Sequence, residues 1–528
     1  MSLPDYFGKA ALSASHVLRN FDPTAFEQLL EGSLVAICFD NAAEDSPEGR
    51  ALLNLLVRLL SRLYPNLAVQ GPDGPLLAEL TSLALRINPK VNVSAPASEA
   101  DVTVSVGANE VSSSKPVVYA GSDGWVAYLS SSRPISVGQT LNPFGAGAAA
   151  AFAAANVFRL IFKDSLARGQ ADEELTFSVL SCAPDTQGAG KEPESIDLGE
   201  THLAGVGAIG QAAVWALARI PDLQGLLFLV DPQTVDLPNL QRYVLTERTD
   251  VERGKLELAQ AFLRQPDLRV QPCPLPWSAH ARAMNWRLER VGAALDTAED
   301  RIALQASLPR WVANAWTQTG DLGISRHDFL RGACLACLYW PQPTDKSRSL
   351  LVAEAIGMSE AEPEIRHLLA TRGPLDPKMT DRIAHATGVS PELLKPYIGQ
   401  SLDVLYSGAV CGGLILQAGG RHGLPRSAEV PLAFQSALAG ILLAAELVIH
   451  AGGLREQSTT TVTSIDLTRP LTQRLTFPRA RDDSHDCICQ DGDFVSQYVQ
   501  KYGPHPSQNP ERELAPQASM YAAEEEEF

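Results

Sequence analysis

The stretch LAGVGAIGQAAVWALARI at residues 203–220 predicts a strand, a tight turn and an amphipathic helix. Gly205, Gly207 and Gly210 have the GxGxxG spacing of a nucleotide-binding turn. Such a turn needs small residues because it is tight, its backbone approaches a phosphate, and its helix packs close to the strand. The motif alone fits a dehydrogenase, a methyltransferase or an adenylating enzyme. It also fits an ordinary strand–turn–helix without a ligand.

The size and composition indicate a globular protein of several domains. The 528 residues correspond to about two to four domains at roughly 150 residues each. Apolar residues make up 45% of the sequence and charged residues 20%, as in globular proteins. The net charge of −18 disfavours nucleic acid as a partner, because nucleic-acid binding needs a basic surface. Proteins or small molecules are therefore the expected substrates.

Neither the N-terminal stretch nor the apolar stretches of the sequence indicate a secreted or membrane protein. The start, MSLPDYFGKAALSAS, lacks the basic and apolar regions of a secretory signal. The apolar stretches at 144–158 and 431–453 fall short of a clean span of about 20 apolar residues, so we expect buried helices and no membrane partner. We expect a cytoplasmic protein whose eight cysteines are reduced and available for metal binding or nucleophilic chemistry.

The first half, residues 1–182, is expected to be an α/β domain without a phosphate-binding turn. The apolar run SLVAICFD at 33–40 predicts a buried strand. It leads into FDNAAEDSPEG, which has acidic residues where a phosphate loop needs glycines and amide groups. This half therefore has the layout of a nucleotide-binding domain but is not expected to bind a nucleotide. A polar linker rich in Gly and Pro follows at 183–199.

The second half is an α/β domain that a helical insertion divides into two parts. We place the parts at 200–341 and 412–469. Between them, residues 342–411 contain helix-capping residues and helix-ending glycines, which predict a helical region. Residues 470–528 form a polar C-terminal segment that ends in an acidic tail.

Charged residues after the second strand of this half indicate which nucleotide the glycine turn would bind. Asp231 ends the strand LLFLVD about twenty residues after the glycines, where a carboxylate meets ribose hydroxyls. Asn239, Arg242 and Lys255 follow, and a dehydrogenase does not need them. Arg and Lys beside an anchored nucleotide suit the phosphates of ATP, and they stabilise the charge that develops as pyrophosphate leaves.

The motifs GVGAIG, VDPQTVDLPNLQR, ERGK, ACLAC and SALAGILLAAELV together resemble those of ubiquitin-activating enzymes and their ThiF/MoeB-like bacterial relatives. The resemblance covers residues 200–453 well and the first half only by layout. It implies two Rossmann-like ThiF-type adenylation domains, an inactive N-terminal one and an active C-terminal one, with a helical catalytic-cysteine insertion. It also implies that ATP and Mg²⁺ serve to adenylate the C-terminal glycine carboxylate of a ubiquitin-like protein.

The resemblance assigns the nucleotide-binding roles by position. It places Gly207 against the phosphates and makes Asp231 the ligand of the ribose. It makes Asn239, Arg242 and Lys255 the ligands of the phosphates, with Arg242 and Lys255 acting in catalysis.

Two further positions follow from the resemblance. The family holds magnesium with an aspartate at the end of a later strand, and Asp296 in AALDTAEDR is the match. Asp300 is an alternative, because Thr297 stands where the family usually has Asn. The family also uses an arginine from a segment ahead of the opposing domain to reach the ATP, and Arg19 is the candidate.

Four cysteines are candidate zinc ligands. Cys334 and Cys337 form a CxxC motif, and Cys487 and Cys489 form a CxC motif. Four thiolates in two close pairs suit tetrahedral Zn²⁺, which would fix the polar C-terminal segment to the adenylation domain. Many relatives carry a structural zinc made from two CxxC pairs. Four buried thiols without a ligand are the alternative.

Cys411 is a candidate nucleophile. It lies in LYSGAVCGGLIL, where small neighbours leave its sulfur open to a bulky partner. It follows the helical insertion, where activating enzymes of this family place their catalytic-cysteine region. We therefore expect it to take the modifier from AMP as a thioester. A small core residue packed by glycines is the alternative.

The sequence thus predicts a bacterial-type activating enzyme that passes a ubiquitin-like protein to a ubiquitin-conjugating-like partner. Such enzymes occur in bacterial conjugation systems, some of them linked to antiphage defence. Because one chain holds both halves as a pseudo-heterodimer, a homodimer is not required. Alternatives are a sulfur-carrier or other carboxylate adenylyltransferase without the thioester step, a nicotinamide-dependent dehydrogenase, and a non-catalytic scaffold.

Overall fold

The computed structural model describes residues 4–318, 320–340, 346–410, 430–455, 460–482 and 486–503. The first unit is built on one twisted sheet with helices packed against it. Its helices are α1 Phe7–Val17, α2 Pro23–Gly32, α3 Asn41–Asp45, α4 Pro47–Leu60, α5 Pro75–Ile87 and α6 Pro143–Ile161. Its strands are β1 Leu34–Phe39, β2 Asn66–Gln70, β3 Val102–Val106, β4 Val117–Asp123, β5 Val126–Ser130 and β6 Glu174–Ser178.

The strands of this unit lie in the order β2-β1-β3-β4-β5-β6. The first four are parallel, and β5 and β6 are antiparallel to their neighbours. The apolar run LVAICF forms β1 between β2 and β3, as expected for a strand covered on both faces. Helix α4 starts where the Ser46 hydroxyl accepts from the Gly49 amide and Pro47 takes the first helical position.

The second unit begins within the predicted linker. Its helices before the insertion are α7 Ala208–Leu217, α8 Lys255–Phe262, α9 Trp277–Ala283, α10 Ala298–Ala306 and α11 Leu335–Tyr339. Its strands in this part are β7 Asp197–Ala204, β8 Gln224–Val230, β9 Leu268–Cys273, β10 Arg290–Ala293, β11 Trp311–Gln318 and β12 Asp321–Asp328.

The insertion is helical, as the capping pattern predicts. It contains α12 Arg348–Ala355, α13 Glu362–Thr371, α14 Pro377–Thr387, α15 Pro391–Leu394 and α16 Leu402–Leu405. These helices bury an apolar cluster of their own, which includes Ile356, Ile365, Ile383 and Leu402. Asp376 caps the start of α14, and Gly388 ends it in the left-handed conformation.

The last part of the chain completes the second sheet. It contains α17 Ala433–Gly452, β13 Thr461–Ile465, β14 Thr476–Pro478 and α18 Gly492–Tyr502. The sheet order is β14-β13-β12-β11-β10-β7-β8-β9. The five neighbouring strands β11, β10, β7, β8 and β9 are parallel, and β12, β13 and β14 are antiparallel to their neighbours.

The two sheets share one topology. The order β2-β1-β3-β4-β5-β6 of the first corresponds to β8-β7-β10-β11-β12-β13 of the second, with parallel and antiparallel pairs in the same places. Helix α6 follows the antiparallel pair β4–β5, as α17 follows β11–β12. The expectation of two Rossmann-like α/β domains is thereby confirmed.

Helices α6 and α17 are long and apolar enough to cross a membrane, but 89% of the apolar stretch of each is buried inside the protein. They contact each other and α7. A β-carbon built on Gly440 would lie 2.2 Å from the Ile209 carbonyl oxygen, and one built on Gly147 would lie 2.8 Å from the Trp215 ring. The prediction of buried helices is confirmed, and these helices join both sheets in one apolar core.

The contact between α17 and α7 gives a first prediction. We expect Gly440→Ala to lower the free energy of unfolding by about 1–3 kcal/mol, because the added methyl group has no room against the α7 backbone. Gly32→Ala is the control, since a β-carbon at this helical glycine meets nothing within 4 Å. Denaturant titration of the full chain measures both. Equal stability of the two variants would contradict the close contact.

Candidate nucleotide site and cysteine cluster

The glycine turn between β7 and α7 excludes side chains at two positions. Gly205 has φ +91°, and a β-carbon there would lie 2.4 Å from the Ala294 carbonyl oxygen. A β-carbon on Gly210 would lie 2.2 Å from the Gly205 carbonyl oxygen, so this glycine lets the helix pack on the turn. Gly207 precedes α7, whose first amides receive no side-chain cap. A ten-residue helix with uncapped amides is suited to bind an anion.

Asp231 connects the end of β8 to this turn. Its Oδ2 accepts from the Val206 amide at 2.8 Å, and its Oδ1 accepts from the Gln233 amide at 2.9 Å. The carboxylate is buried. Both hydrogen bonds orient it at the carboxyl end of the strand, which is where nucleotides bind in open α/β sheets.

Lys255 places a buried cation beside this carboxylate. Its side chain is 4% exposed, and its Nζ lies 3.8 Å from Asp231 Oδ2. The ammonium donates to Gln233 Oε1 at 2.6 Å and lies 5.3 Å from the centre of the Tyr243 ring. Burial lowers the pKa of Lys255, but Tyr243 and Asp231 raise it by more, so its pKa lies above the ordinary value. The side chain is therefore a fixed positive charge at the site.

Tyr243 is a site residue that the sequence analysis missed. Its hydroxyl oxygen is the atom that a β-carbon on Gly207 would approach most closely, at 3.4 Å. Burial raises the pKa of this phenol, so it stays neutral and can donate a hydrogen bond. Its position directly after Arg242 is the only signal for it in the sequence.

Arg242 carries donors without a partner. It follows a short 3₁₀ turn, Leu237–Gln241, in which Asn239 Oδ1 accepts from the Asp236 amide at 3.1 Å. Nε and Nη1 of Arg242 are buried, and no group among the described residues accepts from them. Because an unsatisfied buried donor is costly, this guanidinium suits an anionic ligand such as phosphate.

The two candidate magnesium ligands have different surroundings. Asp296 follows β10 with an exposed carboxylate, and its charge helps to raise the pKa values of Lys255 and Tyr243. Asp300 instead lies in the first turn of α10, where its Oδ2 accepts from the Thr297 hydroxyl at 2.7 Å. Of the two candidates, Asp296 is thus the one whose charge acts on Lys255 and Tyr243.

The roles of Arg19 and Cys411 at this site stay predictions. Arg19 lies exposed in the turn between α1 and α2, where its amide donates to the Ser165 carbonyl at 2.7 Å. This position is beside the end of α6. Cys411 lies outside the described residues, which end at Val410 on that side and resume at Val430.

Carboxylates occupy the corresponding edge of the first sheet. Asp40 follows β1 and accepts from the Ala43 amide at 2.9 Å and the Ala108 amide at 2.7 Å. Glu48, in α4, is 1% exposed and accepts from the Ser122 hydroxyl at 2.6 Å. Burial raises the pKa of Glu48 against the opposing effect of its hydrogen bonds. Amides at this edge therefore already have acidic partners.

The four predicted zinc ligands lie together. The Sγ atoms of Cys334 and Cys337 are 3.9 Å apart, and Cys487 Sγ lies 3.6 and 3.4 Å from them. Cys489 Sγ lies 3.5 Å from Cys337 Sγ, and all four side chains are buried. Tetrahedral zinc with bonds of about 2.3 Å places its sulfurs about 3.8 Å apart, so the cluster fits this metal.

Helix α18 is held next to the cluster by hydrogen bonds as well. The Tyr498 hydroxyl donates to the Arg310 carbonyl at 2.8 Å, and the Tyr502 hydroxyl accepts from the Leu288 amide at 3.0 Å. Tyr498 also stacks on Phe329. The C-terminal segment is therefore attached by these side chains in addition to the cysteines.

Comparison with protein families gives two matches. The ThiF family matches residues 193–489, which include the glycine turn and all four clustered cysteines. Prokaryotic E2 family C matches residues 38–163 of the first unit.

Two individual proteins and one solved structure are similar to this chain. An uncharacterized protein, y4jF of Sinorhizobium fredii, is 46% identical over 510 residues, covering 95% of this chain and 98% of the relative. The sulfur carrier protein ThiS adenylyltransferase of Escherichia coli is 27% identical over 163 residues, covering 29% and 63%. The structure of E. coli MccB with ATP matches with a TM-score of 0.35 at 14% identity, covering 56% and 68%. Because the ThiF match spans more than half of its residues, the chain belongs to the ThiF family, within the ThiF/MoeB-like adenylyltransferase superfamily.

Proposed function

We propose that the second unit uses ATP and Mg²⁺ to adenylate the C-terminal carboxylate of a ubiquitin-like protein. The observation that carries the proposal is the grouping of Asp231, Tyr243 and Lys255 at the glycine turn, together with buried donors of Arg242 that lack a partner. A relative with 27% identity adenylates a sulfur carrier protein, which supports a protein carboxylate as the substrate.

In this proposal the modifier's carboxylate oxygen attacks the α-phosphorus of ATP. The bond between that phosphorus and its bridging oxygen breaks, and pyrophosphate leaves. Lys255 and Arg242 stabilise the negative charge on the phosphates, and the amides of α7 bind phosphate oxygens. Asp231 holds the ribose. Asp296 holds Mg²⁺, which neutralises phosphate charge when bound.

The first unit is proposed to be the inactive partner of the pair. Asp40 and Glu48 supply negative charge and accept hydrogen bonds at the edge where a phosphate would bind. A phosphate there would lack free amides and would be repelled. One chain then contains one active and one inactive domain, so a homodimer is not needed to build the site.

Cys411 is proposed to take the modifier from AMP as a thioester, with AMP as the leaving group. A separate conjugating partner is proposed to receive it. The region that matches Prokaryotic E2 family C contains one cysteine, Cys38, in the strand β1 between β2 and β3. Burial raises the pKa of this thiol, which makes it a poor nucleophile. We therefore assign the transfer step to another protein.

The second candidate function stops at the adenylate. The similarity to the ThiS adenylyltransferase favours it, because the printed name describes adenylation of a sulfur carrier. Both candidates share the nucleotide site and differ in whether Cys411 reacts.

The experiment that separates the candidates combines pyrophosphate exchange with a non-reducing gel. The ubiquitin-like protein from the same genome is incubated with ATP and wild type, Cys411→Ala or the control Cys273→Ala. We expect exchange in all three and a thiol-sensitive adduct in wild type and Cys273→Ala, because only Cys411 forms the thioester. Exchange without any adduct would select the second candidate. No ATP-dependent reaction with that modifier would contradict the proposed function.

The magnesium assignment gives a separate prediction. We expect Asp296→Asn to reduce pyrophosphate exchange by about 100-fold or more, because the site loses its carboxylate for the metal. Asp300→Asn should retain activity within about threefold, since this side chain is engaged with Thr297. Exchange rates as a function of Mg²⁺ concentration measure both. If Asp300→Asn instead lost more exchange activity than Asp296→Asn, the magnesium ligand would be reassigned to Asp300.

The cysteine cluster is proposed to bind one structural zinc. Metal analysis of purified protein should find about one zinc per chain, because four thiolates complete a tetrahedral site. Cys337→Ser should lose the metal and lower the melting temperature, since α11 and the segment ahead of α18 are linked through this cluster. Cys273→Ser, outside the cluster, should retain it. If the purified wild type contained no metal and a chelator did not change its stability, a zinc site would be contradicted.

A further inference from the structure

Two buried arginines of the first unit hold a segment of the second. Arg58, in α4, is 5% exposed, and its Nη1 donates to the Val244 carbonyl at 2.9 Å. Arg62, just after α4, is 1% exposed and donates from Nη2 to the Thr246 carbonyl at 2.7 Å and from Nη1 to the Leu240 carbonyl. Both guanidinium groups therefore cross the boundary between the units and end on main-chain carbonyls.

These contacts are costly to make. Burial is the largest effect on both side chains and lowers the pKa of each to about 10, so both remain charged near neutral pH. Within the described part of the chain, their donors bond to carbonyl and amide oxygens, without a carboxylate in direct contact. An apolar side chain could fill such a boundary at lower cost. What an apolar side chain lacks is the ability to fix the directions of several carbonyl groups.

The carbonyls that are fixed lie on both sides of the site residues. Leu240 precedes Arg242 and Tyr243, while Val244 and Thr246 follow them. The same segment is held from the other side, where the Leu245 amide donates to Gln211 Oε1 in α7 at 3.2 Å. Helix α7 carries the glycine turn at its start. The segment is thus fixed between the first unit and the phosphate-binding helix.

We propose that Arg58 and Arg62 are positioning residues for the ATP site. They hold residues 240–246 so that Arg242 and Tyr243 face the glycine turn, which gives the first unit a role in the reaction without binding a nucleotide. This inference rests on the proposed function, since it assigns the supported side chains to ATP. It specifies how the two units cooperate within one chain.

Conservative variants test the proposal. Arg58→Lys and Arg62→Lys keep a positive charge but cannot reach several carbonyls with one planar group. We expect each to raise the Kd for ATP by about tenfold and to speed amide hydrogen exchange in residues 240–246. Arg86→Ala is the matched control, because Arg86 also crosses the boundary but forms an exposed ion pair with Glu247 at 2.8 Å. It should change neither quantity.

The two measurements separate the possible failures. Faster amide hydrogen exchange in the variants with unchanged ATP affinity would overturn the positioning role and leave the arginines as structural contacts only. Weaker ATP binding without faster exchange would overturn the proposed route through the segment. A wild type that binds no ATP would refute the proposed function itself. In that case the exchange data would still show whether the arginines hold residues 240–246, and the role at an ATP site would be overturned.

Discussion

The packing of α17 against α7 and α6 is the constraint on which the rest of the structure depends. Gly440 lets α17 approach the backbone of α7, and Gly147 leaves room on α6 for Trp215. Because both contacts lie in one apolar core, the two sheets cannot be treated as independent domains. The core places α4 of the first unit against the segment that carries Arg242 and Tyr243. The geometry of the candidate site thus depends on a contact between apolar helices.

The two units share one topology but differ at the sheet edge where we propose that ATP binds in the second unit. Corresponding strands end at corresponding edges, but the residues that follow them differ in charge and size. In the second unit, Gly205 and Gly207 leave helix amides uncapped beside the cation of Lys255. In the first unit, Asp40 and Glu48 accept hydrogen bonds at the equivalent place. The difference lies in a few polar residues and leaves the fold unchanged.

Local patterns in the sequence predicted much of the fold and part of the site. The glycine turn, the buried apolar helices and the cysteine pairs all lie within short motifs, so spacing was sufficient to find them. Tyr243 and Glu48 were missed, because their roles arise from contacts with distant segments that no local pattern encodes. Arg58 and Arg62 were missed for the same reason, since each reaches carbonyls more than 170 residues away in the sequence. The role of Cys411 stays a prediction.

We propose that this chain has one competent nucleotide site, at the glycine turn of the second unit. Isothermal titration of the purified 528-residue chain with ATP and Mg²⁺ is the decisive experiment, because the stoichiometry counts sites without requiring the protein substrate. We expect about one ATP per chain, with binding lost in Lys255→Ala. Two ATP molecules per chain would contradict the assignment of the first unit as inactive. No binding, or binding that survives Lys255→Ala, would contradict the site itself.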